Sequence, residues 1–174
     1  CTKSGDSFFY PLVENIHRNG ILDISIAPYN DKRLQKQAES YHRKISKELN
    51  YVGVLVIEFF LNHNDVLVAN EMAPRVHNSG HWTNEGANIS QFEAHILAIS
   101  DINFAKLSMK GNSAMLNILS KMPDKKLIEQ SNNYQIYDYG KTERKNRKLG
   151  HITCIDNDRD VLDKKINTLK DIIF

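Results

Sequence analysis

Two apolar runs, four polar residues apart, constrain the fold of this chain more than any other feature. Val52 to Leu61 reads V-G-V-L-V-I-E-F-F-L, Val66 to Glu71 reads V-L-V-A-N-E, and Asn62-His63-Asn64-Asp65 lies between them. β-Branched and aromatic residues on both sides of a short Asn/Asp turn specify an antiparallel hairpin. The first run is nearly all apolar, so a strand buried on both faces is expected. Each run nevertheless carries one carboxylate, Glu58 or Glu71. If the turn closes symmetrically, Glu58 faces Ala69. Glu71 is then its diagonal neighbour on the same face, about 7–8 Å away.

A carboxylate in such a run is costly to bury unpaired, and two on one face repel unless a cation lies between them. Magnesium combines a few carboxylates with phosphate oxygens, so the pair suits a magnesium-bound nucleotide, with Asn70 as a further oxygen or a support. The plainer alternative is that each Glu meets a basic residue from elsewhere or sits at a solvated edge. The chain then breaks into the loop A-P-R-V-H-N-S-G-H-W, Ala73 to Trp82. Arg75 offers a planar fork that grips an oxyanion at two points, and His77 and Asn78 add donors and a proton acceptor. A polar loop closed by ordinary hydrogen bonds would contain the same residues. His77 and His81 stand four apart, but Asn78-Ser79-Gly80 is poor helix and no acidic third ligand is evident, which argues against zinc. The basic run Lys141 to Lys148, K-T-E-R-K-N-R-K, is either a phosphate holder or a solvated loop.

The remaining pattern is mixed. Phe8 to Val13 reads as a strand that Pro11 confines to an edge or bulge, and Ile21 to Ala27 as a second strand after the turn pair Asn19-Gly20. His17 reads as a turn histidine. Asp31 caps a helix to Leu49 with the stripe Leu34, Ala38, Tyr41, Ile45, Leu49. Residues 73–88 read as loop. Ser90 and Glu93 form a capping box for a helix whose apolar side is Phe92, Ile96, Leu97 and Ile99. Strands are expected at Ser113–Ser120, Tyr134–Tyr139 and Gly150–Ile155. A final helix from Arg159 carries Leu162, Ile166, Leu169 and Ile173.

Composition narrows the class. With 174 residues, 41% hydrophobic and 25% charged, the chain suits one globular domain or a piece of a larger one. A net charge of +2, with no aromatics interleaved in the basic run, gives no nucleic-acid footprint. No apolar run approaches the roughly 20 residues of a membrane span, and no signal peptide is visible. Two cysteines without a C-x-x-C pair make a reducing cytosol the default. The chain opens on Cys1 and runs at once into Phe8-Phe9-Tyr10, so a further N-terminal portion is expected.

Several of these stretches resemble the 5-(carboxyamino)imidazole ribonucleotide synthetases, the ATPase subunits of the purine-pathway carboxylase and members of the ATP-grasp superfamily. The stretches are Tyr10–Leu22, Tyr51–Phe60, N-E-M-A-P-R-V-H-N-S-G-H-W-T (Asn70–Thr83), S-Q-F-E-A-H (Ser90–His95) and R-K-L-G-H-I (Arg147–Ile152). The resemblance implies an α+β fold: the second lobe of an ATP-grasp domain over 1–105, then a small β-rich domain over 106–174. It implies an ATP-dependent ligase that joins bicarbonate to 5-aminoimidazole ribonucleotide through carboxyphosphate, in the cytoplasm and as a homodimer. By the same resemblance Glu58 and Glu71 bind magnesium; His17, Asn70 and Glu71 line the ATP site. Arg75, His77 and Asn78 hold bicarbonate or carboxyphosphate, and Lys141 and Arg147, with Lys148 beside them, hold the ribonucleotide phosphate. Two departures stand out. The family's Pro-Gly before R-K-x-G-H is replaced by Lys145-Asn146 after Arg144. The family's glycine-rich loop and ATP-gripping lysines lie in an N-terminal portion that has no counterpart here, so this stretch alone is expected to turn over no ATP. Another ATP-grasp carboxylase or formyltransferase, or a non-catalytic nucleotide- or partner-binding domain, would share parts of the same pattern.

Overall fold

Asn19 and Gly20 both adopt the left-handed region, at φ 52° and 75°, and turn β1 (Glu14–Arg18) into β2 (Ile21–Ala27). Two such residues make the turn whose twist matches that of the flanking strands. The computed structural model describes residues 1–102, 106–129 and 134–173. The strand expected at Phe8–Val13 does not form; pairing begins only at Glu14. Pro11 has no N–H to give a ladder. The backbone around it bonds elsewhere: Leu12 N–H donates to Gln35 Oε1 at 2.7 Å, and Gln35 Nε2 donates to the Tyr10 carbonyl at 3.2 Å. Gln35 sits on α1 (Lys32–Glu48), whose first turn is capped by Asp31 accepting from the N–H groups of Arg33 and Leu34.

The hairpin β3 (Val56–Leu61) and β4 (Leu67–Ala73) forms a separate two-stranded sheet laid on α1, where Leu34, Ala38 and Leu67 are buried against Phe59 and Tyr41. The expectation of a strand buried on both faces fails. Phe60 is 62% exposed and Leu61 45%, because a ribbon with one supporting helix has only one covered side.

The larger sheet is antiparallel, in the order β1-β2-β5-β7-β6, with β5 at Asn112–Leu119, β6 at Tyr134–Asp138 and β7 at Lys148–Asp156. The boundary expected after residue 105 lies outside the described residues; β2 precedes it and hydrogen-bonds to β5 beyond it. Three further helices, α2 (Thr83–Gly86), α3 (Gln91–Ile99) and α4 (Lys125–Glu129), precede α5 (Arg159–Ile173). Leu162, Ile166 and Leu169 of α5 press on Ile24, Ile26, Ala114, Leu116, Ile118, Ile152 and Cys154. Alternation turns the intervening residues to the other face. There Met115 joins Leu22, Ala27, Trp82 and Ala87, beside buried polar Ser113, Asn117, His151 and Thr153, of which Asn117 bonds to Asn78 and Thr153 to Glu85.

The apolar side assigned to α3 is also reversed. Gln91, Ala94 and Ala98 face inward, while Phe92, Ile96 and Ile99 are exposed. Among the described residues no helix is long and apolar enough to cross a membrane.

Gly150 is required by packing. A Cβ there would stand 2.2 Å from the Tyr137 carbonyl oxygen of the neighbouring strand. Gly150→Ala is therefore expected to lower stability by about 1–3 kcal/mol, the usual cost of overpacking, read as a fall in the urea midpoint.

Candidate functional site

Two register changes set the geometry of the carboxylate pair. Leu61 pairs with Leu67, so the turn holds five residues rather than four, with Asn62 Oδ1 accepting from the N–H groups of Asn64 and Val66. A bulge then falls between Glu58 and Phe59, which pair with Glu71 and Ala69 and leave Asn70 as the extra residue. Glu58 therefore faces Glu71 directly, not Ala69. The two changes add to a shift of two, which keeps both side chains on one face; a shift of one would have separated them. Directly opposed residues have Cβ atoms about 4.5–5.5 Å apart, closer than the diagonal placement predicted from sequence.

Glu58 is the more enclosed of the two, its side chain 12% exposed against 57% for Glu71. Asn15 Nδ2 donates to Glu58 Oε1 at 3.1 Å and Asn70 Nδ2 to Oε2 at 3.3 Å, while Ser25 Oγ donates to Asn15 Oδ1 at 2.8 Å. His17, from β1, brings Nε2 to 3.7 Å from Glu58 Oε1. On the other strand His77 Nε2 lies 3.2 Å from Glu71 Oε1, with its Nδ1 2.8 Å from Ser79 Oγ and accepting from the Ser79 N–H at 3.4 Å. An accepting Nδ1 leaves the ring proton on Nε2, directed at Glu71. Burial lowers the His77 pKa, with Arg75 and Lys148 adding to the effect and Glu58 and Glu71 opposing it.

Asn78, the next residue, forms an amide–amide pair with Asn117 of β5. Asn78 Nδ2 donates to Asn117 Oδ1 at 3.0 Å, Asn117 Nδ2 donates back at 2.6 Å, and the same Nδ2 donates to the Leu22 carbonyl at 2.7 Å. Lys148 Nζ donates to Asn78 Oδ1 at 2.9 Å. Lys148 is half-buried; desolvation lowers its pKa, and the fields of Glu58 and Glu71 oppose that.

The fold thus brings Glu58, Glu71, His17, Asn70, His77, Asn78 and Lys148 to one place. It divides the basic run: Lys148 turns inward, whereas Lys141 is exposed with Nζ 5.1 Å over the Tyr139 ring, and Arg147 Nη1 lies 3.4 Å from the Thr142 carbonyl. Arg75 is at the exposed rim, donating to the Val76 carbonyl at 2.8 Å. Asn146 takes φ 62° and Arg147 N–H bonds to the Arg144 carbonyl at 3.0 Å, so the Arg144–Arg147 turn closes without Pro or Gly. Asn tolerates this region better than other non-glycine residues. Sequence reasoning missed Asn15 and Asn117. The signal for Asn117 was a lone amide within the apolar run Ala114–Leu119, alternating with Met115 and Leu119.

Among the described residues no three His, Cys, Asp or Glu side chains cluster as a metal cage. Magnesium takes one or two carboxylates and completes its shell with phosphate oxygens and water, which the opposed carboxylates of Glu58 and Glu71 would suit. Glu58 and Glu71 share a face, and the ion pairs described for them are with His17 and His77.

Residues 1–92, more than half of the chain, match the family model of the ATP-grasp domain. The chain belongs to the ATP-grasp family. Residues 113–165 of this ATP-grasp chain match the phosphoribosylaminoimidazole carboxylase C-terminal domain. It is 42% identical over 171 residues to the N5-carboxyaminoimidazole ribonucleotide synthase of Pseudomonas aeruginosa, covering 98% of this chain and 47% of that protein. The Thermus thermophilus synthetase structure superposes with a TM-score of 0.94 at 41% identity, over 99% of this chain and 48% of that one. The Aspergillus clavatus synthase, solved with ADP and 5-aminoimidazole ribonucleotide, gives 0.85 at 33% identity over 95% and 48%. The chain spans about half the length of these relatives.

Behind the site of this ATP-grasp chain, four rings stack in a column: Phe92, His81, His151 and Tyr137, with successive centroids 5.4, 4.8 and 4.5 Å apart. Burial pushes the His81 pKa down to about 4, with His77 and Lys148 adding to the effect, and that of His151 down to about 3, with His81 adding to it. Both native pKa values lie below the unfolded value near 6.5, so the unfolded chain binds more protons in between. Stability is therefore present above pH 6.5 and falls as pH drops toward 4. His151→Leu is expected to flatten that fall by up to about 1.4 kcal/mol per pH unit between about pH 6 and 4, measured by urea titrations at successive pH values.

Proposed function

We propose that this chain forms the C-terminal half of an ATP-dependent ligase that joins bicarbonate to the amine of 5-aminoimidazole ribonucleotide, in purine biosynthesis. The carrying observation is the direct opposition of Glu58 and Glu71 beside His77, Asn78 and Lys148. The ADP and 5-aminoimidazole ribonucleotide bound by the Aspergillus clavatus relative support the choice of substrates. Bicarbonate, a homodimer and a cytoplasmic location belong to the same proposal and follow from the family resemblance.

In this reading Glu58 and Glu71 hold magnesium, and Asn15 and Asn70 orient the Glu58 carboxylate by donating one hydrogen bond to each oxygen. The metal supplies charge neutralisation at the phosphate oxygens of ATP. His17 borders the nucleotide side of Glu58. Bicarbonate oxygen takes the γ-phosphoryl group, giving carboxyphosphate and ADP. The amine nitrogen then forms a bond to the carboxyl carbon, the bond from that carbon to the phosphate oxygen breaks, and the amine loses a proton. Asn78, Lys148 and Arg75 offer donors and positive charge where oxyanion charge develops. His77, with its ring proton directed at Glu71 and its pKa lowered by burial, acts at neutral pH as a hydrogen-bond donor. Lys141 and Arg147, outside this centre, are assigned to the ribonucleotide phosphate.

Glu58→Gln in the full-length enzyme keeps the shape and removes the charge. It is expected to cut ADP release that depends on both bicarbonate and ribonucleotide by at least about 100-fold, without loss of fold by circular dichroism. Retention of that activity, or activity with formate in place of bicarbonate or with biotin in place of the imidazole, would count against the reading.

A further inference from the structure

Gln91 is 2% exposed and is the first residue of α3. Its carboxamide faces the backbone of one loop residue from both sides. Oε1 accepts from His77 N–H at 2.9 Å, and Nε2 donates to the His77 carbonyl at 2.8 Å. The second Nε2 hydrogen lies toward His81 Nδ1 at 2.8 Å. Both hydrogens and the oxygen of the amide are thereby engaged. The backbone of Gln91 is tied to the same loop: its N–H donates to Thr83 Oγ1 at 2.9 Å, and that hydroxyl donates to the Gly80 carbonyl at 2.6 Å. The fit is close enough that a Cβ on Gly80 would stand 2.5 Å from Gln91 Oε1.

The residue gripped in this way is the one that reaches the carboxylate pair. With both backbone groups of His77 held, its ring is directed so that Nε2 meets Glu71 Oε1 at 3.2 Å and Nδ1 meets Ser79 Oγ at 2.8 Å. A buried position needed only for packing is ordinarily apolar, since an amide must find partners for every polar atom when it leaves water. Here a carboxamide replaces the edge of a strand, offering one donor and one acceptor to a loop that belongs to no sheet. The orientation of α3 agrees: Gln91 is turned inward although Phe92, Ile96 and Ile99 are thereby left exposed.

We propose that Gln91 is a positioning residue that sets the His77–Glu71 contact, an inference that rests on the ligase reading above. It acts through the His77 backbone, so its loss should change turnover rather than binding. In the full-length enzyme, Gln91→Met keeps the length and removes the amide. Gln91→Glu keeps the acceptor for His77 N–H but places an oxygen against the His77 carbonyl. Each is expected to lower kcat roughly 10- to 100-fold, the scale of a misplaced catalytic group. The KM values for ATP and for 5-aminoimidazole ribonucleotide should move less than about threefold. In parallel, the ¹⁵N signal of the His77 Nε2–H bonded to Glu71 should shift or broaden. Should Gln91→Met not fold, Gly80→Ala presses a methyl group on the amide from outside and is expected to give the same kcat loss and the same change in the His77 signal. A folded Gln91→Met or Gly80→Ala enzyme with wild-type kcat and an unchanged His77 signal overturns the proposal. If instead the wild-type enzyme releases no ADP in response to the ribonucleotide, the ligase reading fails, while the His77 signal still reports on the role of Gln91.

Discussion

Two like charges set opposite each other across a two-stranded ribbon repel, and the surroundings of Glu58 and Glu71 are organised around that repulsion. Amide donors from Asn15 and Asn70 take up the oxygens of Glu58, and histidines from β1 and from the loop approach one carboxylate each. Lys148 arrives from the far sheet close enough for its charge to feel both. None of these groups neutralises the pair as a bidentate arginine would. The arrangement is suited to a divalent cation that brings phosphate oxygens with it.

The larger sheet allows this because its two faces do different work. The face under α5 is an ordinary apolar core. The opposite face is also buried, but it carries Asn117, His151 and Thr153, of which Asn117 and Thr153 find partners in the segment that covers them. Asn117 meets Asn78 and Thr153 Oγ1 donates to Glu85, while His151 packs its ring on His81 and brings Nδ1 to 2.7 Å from the Tyr139 hydroxyl. A loop docked by specific polar pairs can be held in one conformation without belonging to a sheet, and that is what a site made of loop residues needs.

The periodic elements were readable in advance because local chemistry sets them. β2 runs over Ile21–Ala27 as its alternation indicates, Asp31 and Ser90 cap their helices, and Leu162, Ile166 and Leu169 form the buried stripe of α5. The errors arose where a distant partner decided the outcome. Phe8–Val13 gave its hydrogen bonds to Gln35 instead of a strand, β3 found only one covering layer, and α3 turned its amide rather than its apolar stripe inward.

The sequence by itself determined which chemistry was available: two carboxylates on adjacent strands, a loop of Arg, His and Asn, and a basic segment near the end. Residue type and short-range spacing suffice for that, because both are local properties. Tertiary structure alone decided how these groups meet. A five-residue turn and a bulge at Asn70 together converted a diagonal pair into an opposed one, and the register of β7 drew Lys148 away from Lys141 and Arg147 and toward Asn78. Register depends on the pairing of the whole strand, and the direction of a side chain at a strand end depends on its neighbours across the sheet. Neither is encoded in the few residues that carry the chemistry.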